Sequence, residues 1–226
     1  MAQLRSNYYY ASSDMYQVLG FFTVLTTREL AKAIQSGILV DDIKSILNEL
    51  GYLQQEIEML TAGFEAFTSQ NDDVDELFHA VRRDYTHLFT NPKISVSTLL
   101  ESSFFNEQKD LVGAAIPLNK TIQEAKAAYQ RAGYSPSFNP PLRSDHLAVQ
   151  LEFMQTLRRN QGLALDAKDE KVYAEITATA QDFVAAHLSK WAVDLFRDIE
   201  QKANEEVYRF IGALGTDFFT KEFATS

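Results

Sequence analysis

The sequence contains no cysteine, which excludes disulfides, thiolate nucleophiles and thiolate metal ligands. Basic residues are the scarcer charge: 21 Lys and Arg stand against 31 Asp and Glu, a net charge of −10. Such a surface repels phosphate backbones and anionic membranes and attracts cationic partners, so we expect no nucleic-acid binding. An acidic surface that only maintains solubility is the alternative interpretation.

Long apolar runs are also missing. The most apolar stretch, Val18 to Leu25, is far shorter than the ~20 residues that cross a bilayer. Residues Met1 to Tyr10 lack the basic start and apolar run of a signal peptide. We therefore expect a cytoplasmic protein without membrane insertion.

Several motifs of catalysis and cofactor binding are absent. The sequence has no GxxxxGK[ST] or GxGxxG phosphate loop and no GxSxG nucleophile elbow. We therefore predict neither an enzymatic activity nor a bound cofactor.

Apolar residues recur with the 3.6-residue period of α-helices almost everywhere. This periodicity predicts an all-α fold, a single-domain bundle over residues 1–226 with about nine helices and two long loops. The predicted helices are Tyr8–Thr26, Thr27–Gln35, Asp41–Phe64, Asn71–Phe89, Thr121–Arg131, one capped by Ser144 that includes Leu157, Asp166–His187, one around Trp191 to Ile199, and Glu205–Phe219.

The two predicted loops, Thr90 to Leu118 and Tyr134 to Arg143, hold all five prolines. Long loops inside a compact helical protein are often functional, so we expect the site there.

Glu76-x-x-His79 matches half of the motif that holds two metal ions in helical bundles. A complete site needs a second ExxH on another helix and two further glutamates. Since only one ExxH is present, solvent-exposed helical histidines are the preferred interpretation, and a helical metalloprotein is kept as an alternative.

Asp145 and His146 lie at the start of a predicted helix beside the second proline-rich loop. Position alone favours a carboxylate that stabilises the helix N-terminus. The functional alternative is an anionic and hydrogen-bonding contact to a bound guest. An apolar edge at the end of the fourth predicted helix also has two interpretations. Its residues Tyr85, Leu88, Phe89 and Pro92 form either ordinary core or one wall of a groove for an apolar peptide.

Two segments resemble known signatures. Tyr85-Thr86-His87-Leu88-Phe89 followed by Asn91-Pro92 resembles the aromatic-x-x-Leu-Phe signature of the TorD/DmsD (NarJ-like) family of molybdoenzyme maturation chaperones. Pro141-Leu142-Arg143-Ser144-Asp145-His146-Leu147, continuing through Leu151-Glu152-Phe153-Met154, resembles that family's second signature. The acidic residue that often opens the second signature is missing, with Leu142 or Arg143 nearby instead.

Weaker matches support the resemblance in the same order along the chain. They are Glu101-Ser102, Tyr129, Gly133, His187-Leu188, and Trp191 to Phe196.

The resemblance implies an all-helical cytoplasmic chaperone that binds the twin-arginine leader, or an N-terminal segment, of a molybdopterin-dependent oxidoreductase. Such a chaperone holds the apoenzyme until its cofactor is inserted, and so delays export. The implied peptide-binding residues are Asp145, His146, Tyr85, Leu88, Phe89, Pro92 and Pro141. A monomer and a helix-swapped dimer both remain open, and a helical scaffold with another partner is a further alternative.

Overall fold

The computed structural model describes residues 2–70, 73–90, 97–109 and 118–224. Within those ranges it contains eleven α-helices and no strands. They are α1 (Ala2–Phe21), α2 (Arg28–Gln35), α3 (Ile38–Glu49), α4 (Gln54–Gln70), α5 (Val74–Tyr85), α6 (Glu101–Lys109), α7 (Leu118–Arg131), α8 (Leu147–Asp166), α9 (Glu170–Ala186), α10 (Ala192–Lys202) and α11 (Glu206–Ala224). The predicted all-α class is confirmed.

Helix α1 packs against α8, and α10 packs against α11, over the two most extensive helix pairs of the bundle. The core between the helices is rich in fully buried aromatic side chains. A buried ion pair adds a polar link: Arg158 on α8 lies 2.6 Å from Glu222 on α11, which also accepts a hydrogen bond from Tyr8 of α1. No helix within the described residues is long and apolar enough to cross a membrane.

The single long helix predicted over Asp41–Phe64 is wrong. The chain leaves α3 at Leu50 and turns at Gly51, whose φ of +87° lies in the left-handed region that favours glycine. The amide of Tyr52 then donates to the carbonyl of Leu47 (3.1 Å), so the last turn of α3 is closed before α4 begins.

Several predicted helix starts differ by a few residues. Asp166 ends α8 rather than starting the next helix, and Asp169 caps α9. Helix α7 begins at Leu118, before the predicted start at Thr121. The helix start predicted at Asn71 lies outside the described residues; the side chain of Asp73 accepts from the first amides of α5.

Helix α1 ends at Phe21, five residues before the predicted end at Thr26. The first predicted loop, Thr90 to Leu118, also contains a helix, α6. Helix α5 continues as one π-helical turn, Thr86–Thr90, which extends one residue beyond the predicted helix end at Phe89. By contrast, the second predicted loop, Tyr134 to Arg143, is non-helical as expected.

Asp84 joins α5 to the start of α11. Its buried carboxylate accepts hydrogen bonds from the backbone amides of Asn204 (3.1 Å) and Glu205 (2.9 Å). These amides immediately precede Glu206, the first residue of α11. The carboxylate of Asp84 therefore stabilises the N-terminus of a helix that is distant in sequence.

Candidate functional site

The start of α8 is held by a short piece of chain that precedes α6. Leu100 and His146 form an isolated antiparallel bridge, and the amide of Leu147 donates to the carbonyl of Leu99 (2.8 Å). The amide of Glu101 donates to the carbonyl of Asp145 (3.0 Å). The second signature is thereby fixed against the beginning of α6.

Asp145 is completely buried and its carboxylate has four hydrogen bonds. It accepts from the amide and the hydroxyl of Ser102, at 3.3 and 2.6 Å. It also accepts from Nε and Nη2 of Arg143, at 3.0 and 2.8 Å. A guest therefore reaches this carboxylate only if Arg143 moves aside. The prediction that Asp145 contacts a leader stays a prediction.

His146, and not the predicted Ser144, caps α8: its Nδ1 accepts from the amide of Ala148 (3.1 Å). Burial lowers the pKa of the imidazole to about 4, because desolvation disfavours the charged form. The charge of Asp145 works in the opposite direction, and that of Arg143 adds to the lowering. His146 is therefore neutral at pH 7, as an acceptor at Nδ1 must be.

Acid should weaken the fold through His146. The unfolded chain takes up this proton near pH 6.5, whereas the folded protein does so only near pH 4, so acidification across that interval favours unfolding. The variant His146→Asn keeps a capping side chain that does not titrate. Between pH 7 and pH 4.5, we expect its free energy of unfolding to fall by about 1–3 kcal/mol less than that of the wild type. Denaturant titrations at each pH measure this difference, and parallel pH profiles of the two proteins would contradict it.

A second buried polar network links α6, α8 and the end of α9. The Glu101 carboxylate lies 2.9 Å from Nδ1 of His187 and accepts from Nε2 of Gln150 (2.5 Å). The indole of Trp191 donates to Oε1 of Gln150 (3.3 Å). Glu101 and His187 are 2% and 3% exposed, so solvent cannot replace these partners.

An open groove of about 920 Å³ lies between α7 and α9. Its lining consists of Lys120, Gln123, Glu124, Ala127, Ala128, Arg131, Ala132, Thr179, Asp182, Phe183, Ala185, Ala186, His187 and Lys190. Alanines make up much of this surface, so a guest can approach the helix backbones closely. His187 belongs both to the groove and to the Glu101 network.

Tyr129 connects the groove helix α7 with the second signature. Its hydroxyl donates to the carbonyl of Ser144 (2.7 Å), and the centroid of its ring lies 5.7 Å from that of Phe183, a buried residue of the groove lining. Tyr129 thus connects the groove to the Asp145 segment through direct contacts.

The first signature lies largely in the core. Leu88 is fully buried, Tyr85 is 9% exposed, and Phe89 packs edge-on against Tyr208. The carbonyl of Leu88 accepts from the amide of Ser97 (3.0 Å), which leads toward Leu99 and Glu101. Pro92 lies outside the described residues, and Pro141 is exposed on the second loop. These predicted residues are not in the lining of the α7–α9 groove.

His79 is exposed on α5, and the carboxylate of Asp84 is hydrogen-bonded to the backbone at the start of α11. Within the described ranges, no three His, Asp or Glu side chains come together as metal ligands would.

Sequence reasoning missed the groove and the role of Gln150. The recurrent alanines of α7 and α9 were the available signal, because small side chains at helical spacing mark positions of close approach.

The model of the family described as "Nitrate reductase delta subunit" matches residues 50–197. This range covers more than half of the chain and includes both signatures, α6 and the groove. The chain belongs to this family. Comparisons with curated proteins and with solved structures gave no match.

The nitrate reductase delta subunit family is a family of molybdoenzyme maturation chaperones, so the general chaperone role follows from membership. The resemblance proposed from the two signatures is confirmed at this level. Membership in this family favours the chaperone hypothesis over the metalloprotein hypothesis.

Proposed function

We propose that this protein acts in the cytoplasm and binds the twin-arginine leader, or an N-terminal segment, of a molybdopterin-dependent oxidoreductase. It holds the apoenzyme until the cofactor is inserted and carries out no catalysis itself. The observation that carries the proposal is the α7–α9 groove, because one of its lining residues, the buried His187, is bonded to the Glu101 segment that also holds Asp145.

The groove suits the apolar part of a leader. Its volume of about 920 Å³ is in the range of sites that hold peptides and drug-sized ligands. The exposed Ala132, Ala185 and Ala186 offer apolar surface, and an amphipathic helix that binds in such a groove places its apolar face inward.

The net charge of the whole protein, rather than the charge of the groove lining, suits the basic part of a leader. The net charge of −10 accelerates encounter with a cationic segment, and Glu124 and Asp182 place carboxylates beside the groove. The basic side chains Lys120, Arg131 and Lys190 also border it, so the leader's arginines are expected near the carboxylates and the Asp145 end. Apolar contacts are not screened by salt, so only part of the affinity should be salt-dependent.

Calorimetric titration with a panel of synthetic twin-arginine leaders tests the proposal. We expect saturable one-to-one binding of at least one leader, weakened only in part by raising the salt from 50 to 500 mM. A scrambled peptide of the same composition is the control. If no leader binds, while the protein still associates with a molybdoenzyme apoprotein lacking its leader, leader recognition is wrong and another part of the client is held.

A further inference from the structure

Arg143 forms a fork-shaped contact with Asp145. Its Nε lies 3.0 Å from Oδ1 and its Nη2 lies 2.8 Å from Oδ2, so each carboxylate oxygen accepts from a different nitrogen of one guanidinium. The same Nη2 donates to the hydroxyl of Ser102 (2.8 Å). This geometry is specific for a planar guanidinium and does not suit the ammonium of a lysine.

The two partners differ in their access to solvent. The side chain of Asp145 is 0% exposed, whereas that of Arg143 is 43% exposed. The other two bonds of the carboxylate come from Ser102, which is itself buried. Arg143 is therefore the exposed element of an otherwise enclosed site.

The backbone contacts that hold the segment around Arg143 do not involve its side chain. Its backbone carbonyl accepts from the amide of His146 (3.0 Å), and this bond does not involve the side chain. The bridge between Leu100 and His146 likewise holds the segment through backbone atoms. Removal of the guanidinium should leave Asp145 and Ser102 in place as a preformed acceptor.

We infer that Asp145 and Ser102 form a guanidinium-binding site that Arg143 occupies in the free protein and that an arginine of the client segment takes over. The inference rests on the proposed function and adds that Arg143 competes with the client arginine for this site. Arg143 lowers the affinity for arginine-containing peptides, because the competent state must first release its internal occupant. It also protects the buried carboxylate from remaining unpaired when no guest is present.

Arg143→Ala tests the competition. We expect this variant to bind a twin-arginine leader about three- to tenfold more tightly than the wild type, because no internal guanidinium has to be displaced. Binding of the corresponding twin-lysine leader should change by less than twofold, because an ammonium does not reproduce the two-point contact. Calorimetry with both peptides gives the four affinities.

Arg197→Ala is the matched control for charge. Arg197 is half-exposed and pairs with Asp194 on α10, so its loss changes the net charge equally without opening the Asp145 site. This variant should bind both leaders as the wild type does. Equal tightening in both alanine variants would show a general charge effect and overturn the inference.

A measurement without any leader tests the site separately. Methylguanidinium at millimolar concentration should raise the Tm of Arg143→Ala relative to methylammonium, and should not do so for the wild type or for Arg143→Ala/Asp145→Asn. If Arg143→Ala does not fold, Arg143→Lys replaces it in both measurements.

The outcomes separate the two proposals. A wild type that binds no leader contradicts the proposed function, whereas methylguanidinium can still reveal the site. A wild type that binds leaders, with an Arg143→Ala variant that binds them no more tightly, overturns the inference alone.

Discussion

Glu101→Ala is expected to lower the free energy of unfolding by about 3–5 kcal/mol, because it removes the shared acceptor of two buried polar side chains. His187 and Gln150 would each lose their bond to the carboxylate, and the vacated volume adds a cavity. Since the buried His187 is one of the groove-lining residues, leader affinity should fall as well. Denaturant unfolding followed by circular dichroism measures the stability.

Two variants calibrate this result. Glu101→Gln keeps the size of the side chain and one oxygen as acceptor. It should therefore lower the free energy of unfolding clearly less than Glu101→Ala does. Glu124→Ala removes an exposed carboxylate beside the groove and should change stability by less than about 0.5 kcal/mol. A loss in Glu101→Ala no greater than in Glu124→Ala would show that the network does not stabilise the fold.

The second large effect is expected at the crossing of α10 and α11. A Cβ on Gly212 would lie 2.3 Å from the backbone nitrogen and 2.6 Å from the Cα of Glu200, so the helices must separate. We expect Gly212→Ala to destabilise the protein by about 3 kcal/mol or more, despite the higher helix propensity of alanine. A thermal melt and a denaturant titration both report the loss.

Gly63→Ala is the matched comparison. Gly63 lies on the exposed side of α4, where a Cβ would only touch a side-chain oxygen of Glu206 at 3.6 Å. Alanine should therefore stabilise α4 by about 0.5–1 kcal/mol. Equal behaviour of the two alanine variants would mean that α10 and α11 do not cross closely at Gly212.

The helical fold was predictable because apolar side chains at helical spacing must share a core. The prediction failed where the apolar periodicity of one helix continues without interruption into the next helix. The pattern of Asp41–Phe64 continues across the turn, and only Gly51 indicates the break, through a backbone conformation that periodicity does not encode. Helix α6 was missed because its hydrophobic face is short and lies between prolines.

The sequence indicated a segment for the candidate site but not the arrangement of its side chains. The second signature indicated Asp145 and His146, and the structure places both at the start of α8. The orientation of the Asp145 side chain depends on contacts with Ser102, 43 residues earlier, which sequence spacing does not reveal. Burial turns the carboxylate inward to Arg143, and the neutral imidazole caps the helix.

The α7–α9 groove depends even more on tertiary structure. Its two walls are separated in sequence by the whole of α8, so no local pattern brings them together. The aromatic residues Tyr85 and Phe89 gave a strong local signal, yet Tyr85 belongs to the hydrophobic core and Phe89 packs against it.

Leader binding to Ala186→Trp measures most directly whether the groove holds the client peptide. Ala186 is exposed at the end of α9 and lines the groove, so an indole there should fill the space and weaken binding at least tenfold with little change in Tm. Ala174→Trp, on an exposed part of α9 away from the groove, should bind as the wild type does. Unchanged affinity in a folded Ala186→Trp variant would show that the leader binds elsewhere.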